Sequence, residues 1–278
     1  MGSKHTGLSR LGTAFLLLCG LSGSSTAEMI QPRKLVDAHT AGILAKGQYD
    51  IECRFYEAGD STLGAGITFG FDIGVTNRLT LGLSYGGEGL VGRGNRVRPH
   101  SLPGWLVKYR LIEERVHFPG LTIGYDHQGH GGLTDTARFD YKGYIFKSPG
   151  FFLALSKNYL LFNALQLGLH GMCSYSMEQI RTVKWPDFIA GIDLGLNEEL
   201  SLVFEYDFAF NNLDAHPGKP PLYARPSDGY LNAGLRWAFS PNFYIELDVR
   251  DLLERRTTSD GRRIGWNREI KLAYFAQF

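Results

Sequence analysis

The segment Asp126-His127-Gln128-Gly129-His130 gathers the groups best able to move a proton. Two imidazoles followed by Asp135 and Asp140 could act as a general base or hold a metal weakly. Loop histidines beside carboxylates are also ordinary, and the sequence names no nucleophile for them. It has no G-x-S-x-G elbow and no paired C-x-x-C of metal-binding spacing. Of its three cysteines, Cys19 lies in an N-terminal apolar run, while Cys53 and Cys173 stand far apart and read as free thiols. No catalytic residue, metal site or cofactor is assigned on these grounds.

A second set of polar residues has a different rhythm. With the aromatic face of each strand taken as outward, the inward set includes Lys108, Arg110, Asp126, Glu205, Asp207, Asn232, Arg236, Glu246, Asp248, Arg250, Glu269 and Lys271. A period of two puts one face of a strand in each environment. Leu200, Leu202, Phe204, Tyr206 and Phe208 thus oppose Ser201, Glu205 and Asp207. Phe243, Ile245, Leu247 and Val249 oppose Glu246, Asp248 and Arg250. The tight turn Ser240-Pro241-Asn242 sets Arg236 roughly opposite Glu246, and the same counting puts Arg250 near Glu269 and Asp248 near Lys271. Such pairs cross-link a wall, or line a path for a polar solute.

The elements that position these charges are about twelve strands of roughly barrel-spanning length. They are expected near 49–57, 63–74, 79–87, 103–112, 117–128, 145–157, 163–175, 187–195, 200–210, 229–239, 243–252 and 267–278. Short turns at 75–78, 113–116, 197–199 and 240–242 alternate with long polar connections at 88–102, 129–144, 176–186, 211–228 and 253–266. That asymmetry belongs to outer-membrane barrels, with short periplasmic turns and long outer loops. The expected fold is an all-β, antiparallel up-and-down transmembrane barrel. A soluble β-sandwich also alternates, but its exposed face is richly charged, whereas the apolar face here is heavily aromatic.

Both ends of the chain agree. Lys4 and Arg10, the apolar run Leu11 to Leu21 and the small residues up to Ala27 have the layout of a signal peptide, expected at 1–27. Leu18 before Cys19 is too large for a good lipid-attachment site. At the other end Ile270, Leu272, Tyr274 and Phe278 share one strand face and finish on an aromatic residue. That pattern resembles the signal read by the barrel assembly machinery, the expected partner in biogenesis. Residues 28–48 do not alternate and read as a periplasmic lead-in or a segment tucked into the barrel, leaving 49–278 as the barrel itself.

Composition excludes little else. Lysine plus arginine (29) nearly balance aspartate plus glutamate (28), so no basic field points to nucleic acid. Outer-membrane lipid and lipopolysaccharide are the expected surroundings. Arg93, Arg96 and Arg98 could meet lipopolysaccharide phosphates, and Pro217, Pro220, Pro221 and Pro226 stiffen the loop 211–228.

Several short stretches carry a resemblance. They are Thr40-Ala41-Gly42-Ile43-Leu44 with Lys46-Gly47, Tyr49-Asp50-Ile51-Glu52 and Arg54-Phe55-Tyr56, then Leu83-Ser84-Tyr85-Gly86-Gly87. Lys147-Ser148-Pro149-Gly150, Ser156-Lys157-Asn158 and Glu205-Tyr206-Asp207 complete the set. Together they resemble a group of bacterial outer-membrane barrels, distantly similar to the YjbH-like barrels associated with exopolysaccharide secretion. The resemblance implies an outer-membrane barrel tied to surface polysaccharide, with polysaccharide-export proteins as partners. The residues themselves leave three readings: a narrow channel or transport accessory, a plugged structural or partner-binding barrel, and a barrel-embedded hydrolase.

Overall fold

A computed structural model describes residues 32–57, 64–91, 97–136, 141–162, 165–178, 185–212, 229–255, 263 and 265–278. The expected signal peptide, Arg93, Arg96, Asp140 and the four loop prolines lie outside the described residues.

The strands are β1 (Gln48–Glu57), β2 (Ala65–Thr76), β3 (Leu79–Val91), β4 (Arg98–Pro99), β5 (Gly104–Ile112), β6 (Gly120–Asp126), β7 (His130–Thr136) and β8 (Tyr141–Phe146). They continue as β9 (Gly150–Leu161), β10 (Leu165–Tyr175), β11 (Asp187–Gly195), β12 (Leu200–Asp207), β13 (Tyr230–Ser240), β14 (Phe243–Arg250) and β15 (Asn267–Gln277). Twelve of them pair antiparallel in chain order, β1-β2-β3-β5-β6-β9-β10-β11-β12-β13-β14-β15, and β15 closes on β1. Closure leaves no open sheet edge, which is what a spanning sheet in lipid requires. At the junction the Phe278 amide donates to the Gly47 carbonyl at 3.1 Å, and the Tyr49 and Phe278 rings stack at 5.9 Å.

Alternation sorts the side chains as the sequence requires. Leu83, Phe151, Phe239, Leu247, Ile270 and Tyr274 point outward and are exposed, while Thr80, Lys108, Glu246, Asp248, Glu269 and Lys271 point inward and are buried. Outward rings cluster toward both rims: Trp105, Tyr125 and Phe151 at the loop end, Trp237, Phe239 and Phe243 at the turn end. An apolar band edged by aromatic girdles is a lipid-facing surface. Cys53 and Cys173 are free, on strands separated around the wall.

All twelve expected spanning strands are present, with ends moved by a few residues. Two expectations need correction. The connection 129–144 is not a plain loop: β7 and β8 form a separate two-stranded hairpin. Its sequence hides this, because Gly131 and Gly132 break the alternation of side chains. Gly150, at φ 63°, then turns the chain sharply, so Tyr141–Phe146 and the following strand are two elements and not one. The second correction is one of register. Arg250 lies directly across from Asn267, and Asp248 from Glu269, two residues from the expected partners. Arg236 does face Glu246.

The lipid-facing assignment is tested by Leu83→Arg. Charge on the lipid face costs about 2–4 kcal/mol near the bilayer midplane. Urea unfolding from lipid vesicles should show a loss of that order; an unchanged midpoint would put Leu83 away from lipid.

Candidate functional site

The lumen is occupied. Residues 32–47 enter the barrel from the turn end, reverse, and leave by the same end. The reversal is a tight hairpin: the Leu35 amide donates to the Ala38 carbonyl at 2.9 Å, and the Thr40 amide to the Arg33 carbonyl at 3.1 Å. The descending arm follows the wall downward. The Ala41 amide donates to Ser156 Oγ (2.7 Å), the Leu44 amide to Thr80 Oγ1 (3.1 Å) and the Lys46 amide to Asn77 Oδ1 (3.0 Å). The last of these lies in the turn between β2 and β3, so the arm runs the lower length of the lumen.

The hairpin is two-sided, and so is the lumen around it. Leu35, Val36 and Ala38 pack on Leu106, Phe152, Ala154, Met172, Ile189 and Val203, inward residues of β5 and β9–β12. The charged side chains of the segment turn elsewhere. Arg33 pairs with Asp50 and, at 2.9 Å, with Asp72, and Lys34 with Asp126 at 3.1 Å. Wall groups also bind its backbone. Lys108 Nζ donates to the Arg33 carbonyl (3.1 Å) and Arg236 to the Lys34 carbonyl (3.2 Å). The Glu205 carboxylate accepts from the amides of Asp37 (3.0 Å) and Ala38 (3.1 Å). Wall groups thus take up several of the backbone donors and acceptors that the reversal leaves without a strand partner.

Asp37 at the tip joins three parts of the molecule. Its Oδ1 accepts from Arg250 Nε at 2.7 Å and faces His130 Nε2 at 3.3 Å. His130 comes from the β7–β8 hairpin, at the loop end of the barrel. Its Nδ1 faces guanidinium nitrogens of Arg250 (2.9 Å) and Arg54 (3.2 Å). Both are donors only, so Nδ1 must accept and the ring hydrogen sits on Nε2, toward Asp37. Protonating Nδ1 would set a positive ring against two guanidiniums. Burial pushes the His130 pKa down, with the Arg250 and Arg54 charges acting in the same direction.

The charges expected in the lumen fall into a network. Glu246 bridges Arg236 (2.5 Å) and Lys271 (2.8 Å), Lys271 reaches Asp248 at 3.4 Å, and Arg250 reaches Glu269 at 3.2 Å. The two contacts expected across β14 and β15 therefore exist, made on the diagonal. Asn232 bonds Glu205 at 2.7 Å. Asp207 sits at the loop end, and Arg110 at the turn-side rim, where it donates to the Asn77 carbonyl at 2.7 Å. The strand-end residues Ile270, Leu272, Tyr274 and Phe278 lie on the outward side, with Phe278 exposed.

Sequence reading missed Asp50, Glu52 and Arg54, which share the inward face of β1 and show the same alternation. It also missed a Ser–His–Asp chain on neighbouring strands. Ser156 Oγ meets His170 Nδ1 at 2.7 Å, and His170 Nε2 meets Asp193 Oδ1 at 2.5 Å. The arrangement resembles a hydrolase relay, but the hydroxyl already accepts the Ala41 amide. Asp193 holds the hydrogen on Nε2, so Nδ1 accepts the serine proton and Oγ keeps a lone pair for the hairpin. Chemically this is a clamp. His127, one of the two imidazoles expected to move a proton, stacks on Tyr125 and stands outside the lumen network.

Beside the hairpin, among the described residues, lie two small cavities of about 30 Å³ each. That is room for about two waters. One lies between Lys34, Arg54, Asp126 and the β1–β3 wall, the other at the loop end beside Asp37 and His130. Neither touches Ser156.

A closed antiparallel barrel with an apolar, aromatic-edged exterior and a charged interior is a transmembrane β-barrel of the bacterial outer-membrane type. No family model matches the sequence, and no curated protein matches it. Among solved structures, the KdgM porin aligns at 11% identity over 82% of this chain and 98% of that one, with a TM-score of 0.43. The NanC porin aligns at 9% identity over 83% and 99%, TM-score 0.40. An outer membrane channel from Pseudomonas putida F1 aligns at 11% over 87% and 100%, TM-score 0.45. Likeness at this level concerns the shape of the barrel, and the functional argument rests on the residues of this chain.

Two outcomes test the site. Glu246→Ala leaves Arg236 and Lys271 buried and short of a partner, which should cost about 3–5 kcal/mol in unfolding from lipid. Arg268→Ala, breaking an exposed pair with Glu57 (69% and 41% exposed), should cost under about 1 kcal/mol. The second concerns His39, buried on the hairpin, stacked on Phe152 at 4.2 Å and donating from Nε2 to Asp126 at 2.8 Å. Burial first, then Lys34, pushes its pKa down from 6.5 to about 3. Undocked, it protonates near the ordinary value, so the undocked state binds more protons between those limits. Docking is thus strongest above pH 6.5 and weakens as pH falls toward 3. Hydrogen exchange of 35–41, corrected for its intrinsic pH dependence, should speed up below pH 6.5. His39→Gln should remove one proton from that dependence and leave the share of His130; an unchanged slope would exclude His39.

Proposed function

We propose that the protein admits small polar solutes across the outer membrane and that residues 32–47 hold its lumen closed at rest. One observation carries the reading: much of the interior wall around the docked hairpin is charged. Buried ion pairs are poor stabilisers compared with a packed apolar core. A barrel built only to stay shut gains nothing from Asp50, Arg54, Lys108, Glu246 and Lys271 in its interior. If the hairpin leaves, the same groups face water and need no other partner. Near balance of the two signs suits solutes without strong charge preference, and the likeness to YjbH-like barrels makes surface polysaccharide one candidate class.

A second reading has its own observation. Leu35 and Val36 are fully buried against Met172, Phe152 and Val203, a fit that favours a permanently plugged structural or partner-binding barrel.

Planar-bilayer recordings of the whole protein separate the two. Wild type should be mostly silent with rare openings. Arg33→Ala, Lys34→Ala and Asp37→Ala together remove the ionic anchors and should raise the open fraction at least tenfold, with weak ion selectivity. If that variant still shows heat-modifiable migration yet stays silent at all voltages, the channel reading fails and the plugged reading stands.

A further inference from the structure

The loop-end cavity has a chemistry that its own residues do not satisfy. Asp187, at the start of β11, and Asp207, at the end of β12, direct their carboxyls at each other within hydrogen-bond contact. Two carboxylates cannot donate to one another, so their contact calls for a shared proton or a bound donor between them. Other acceptor positions of the pair are already taken: Asp187 Oδ1 accepts the amides of Phe188 and Phe210, and Asp207 Oδ1 that of Ala209. Asn211 lines the same cavity, is only 8% exposed, and its Oδ1 has no hydrogen-bond partner. Ser174, the register partner of Asp187, adds a hydroxyl, and the Phe146 and Tyr230 rings, 6.1 Å apart, wall the opposite side.

The charges facing the carboxyl pair do not cancel. Lys147 approaches Asp187 and donates to the Asn211 backbone carbonyl. Glu205 faces Asp207 from the lumen side. Asp37 is neutralised by Arg250, and His130, with its hydrogen directed at Asp37, adds no positive charge. With both aspartates ionised the site is short of positive charge and of N–H donors. It holds acceptors, aromatic walls and room for about two non-hydrogen atoms.

We propose that this cavity binds the ammonium end of a small primary amine arriving from the outer face. Its three N–H donors would reach the Asp187–Asp207 pair and Asn211 Oδ1, with the attached carbon between Phe146 and Tyr230. Binding releases the shared proton to solvent: the pair passes from one negative charge to two, and the ammonium supplies the compensating positive charge. No covalent bond changes. The site lies at the loop end of the lumen beside the docked hairpin tip, and its occupancy by an amine does not depend on conduction.

The test is calorimetric titration of the folded, detergent-solubilised whole protein with methylammonium, in buffers of different ionisation enthalpy. An alkylammonium keeps its charge to about pH 10, so any proton released comes from the protein. Saturable binding with about one proton released, strengthening about tenfold per pH unit while the pair is protonated, is the expected result. Asp207→Asn, nearly isosteric, should abolish the proton release and weaken binding at least tenfold. Asn211→Ala, which leaves the pair intact, should weaken binding while keeping the release. Absence of saturable binding by wild type overturns the proposal. So does equal binding of potassium, which marks a bare-cation site, or of tetramethylammonium, which has no N–H to donate.

Discussion

A charge in this barrel has nowhere to go but inward, and once inward it must be answered by another side chain. The outer surface faces lipid, and the interior around the hairpin is filled largely by packed and paired side chains. The rest of the structure follows from this constraint. It explains why the inward faces of β1, β14 and β15 carry both signs in near register, and why Arg250, with no exposed surface, touches Asp37 and Glu269 together. It also explains why a backbone hairpin can sit in a membrane barrel at all. Non-helical backbone is tolerated at membrane depth where protein groups satisfy it. Lys108, Arg236, Glu205, Ser156 and Thr80 do so for residues 33–44.

Asp37 is where closure from the two ends of the barrel meets. The 32–47 hairpin comes from the turn end and the β7–β8 hairpin from the loop end, and their contact is a single carboxylate shared with Arg250. A disturbance on either side reaches the other through one residue. The apolar packing of Leu35 and Val36 holds the tip in place without directing it. The direction comes from Asp37, because only one side of the lumen offers a guanidinium.

The barrel was legible because its signal is local. Period-two alternation in β3, β5, β12 and β14 reveals strands, faces and the inward charge set from a few neighbouring residues. Turns of two or three residues fix register only where they are regular. At Ser240-Pro241-Asn242 the count works, so Arg236 faces Glu246. Between β14 and β15 a long connection intervenes, and the pairing slipped by two. A slip of two preserves the faces, so the diagonal contacts survived the error. The hairpin stayed one of two alternatives, a lead-in or a segment tucked into the barrel, for the opposite reason. The wall partners of its tip, Glu205 and Arg250, lie 168 and 213 positions away from Asp37 in sequence, and no local periodicity records them. His130 was noticed for its chemistry and assigned to a surface loop, because Gly131 and Gly132 erase the alternation that marks β7. Ser156, His170 and Asp193 sit on three successive wall strands (β9, β10 and β11), and only the pairing of those strands brings them together.

The way the hairpin is held also bears on whether it can leave. An apolar plug would lose its stabilisation gradually with the area it exposes, in any direction of motion. Ion pairs and hydrogen bonds at 2.7–3.2 Å weaken steeply with small displacements, and both partners then find water. The charged side of this hairpin therefore favours two arrangements, docked and released, over a continuum of half-docked ones. The apolar side sets how far apart they lie in free energy. Leu35, Val36 and Ala38 provide a small apolar face, and the descending arm from His39 to Gly47 is held mainly by backbone donors to wall oxygens. Such an attachment is specific without being strong, and that balance suits a closure meant to be reversible.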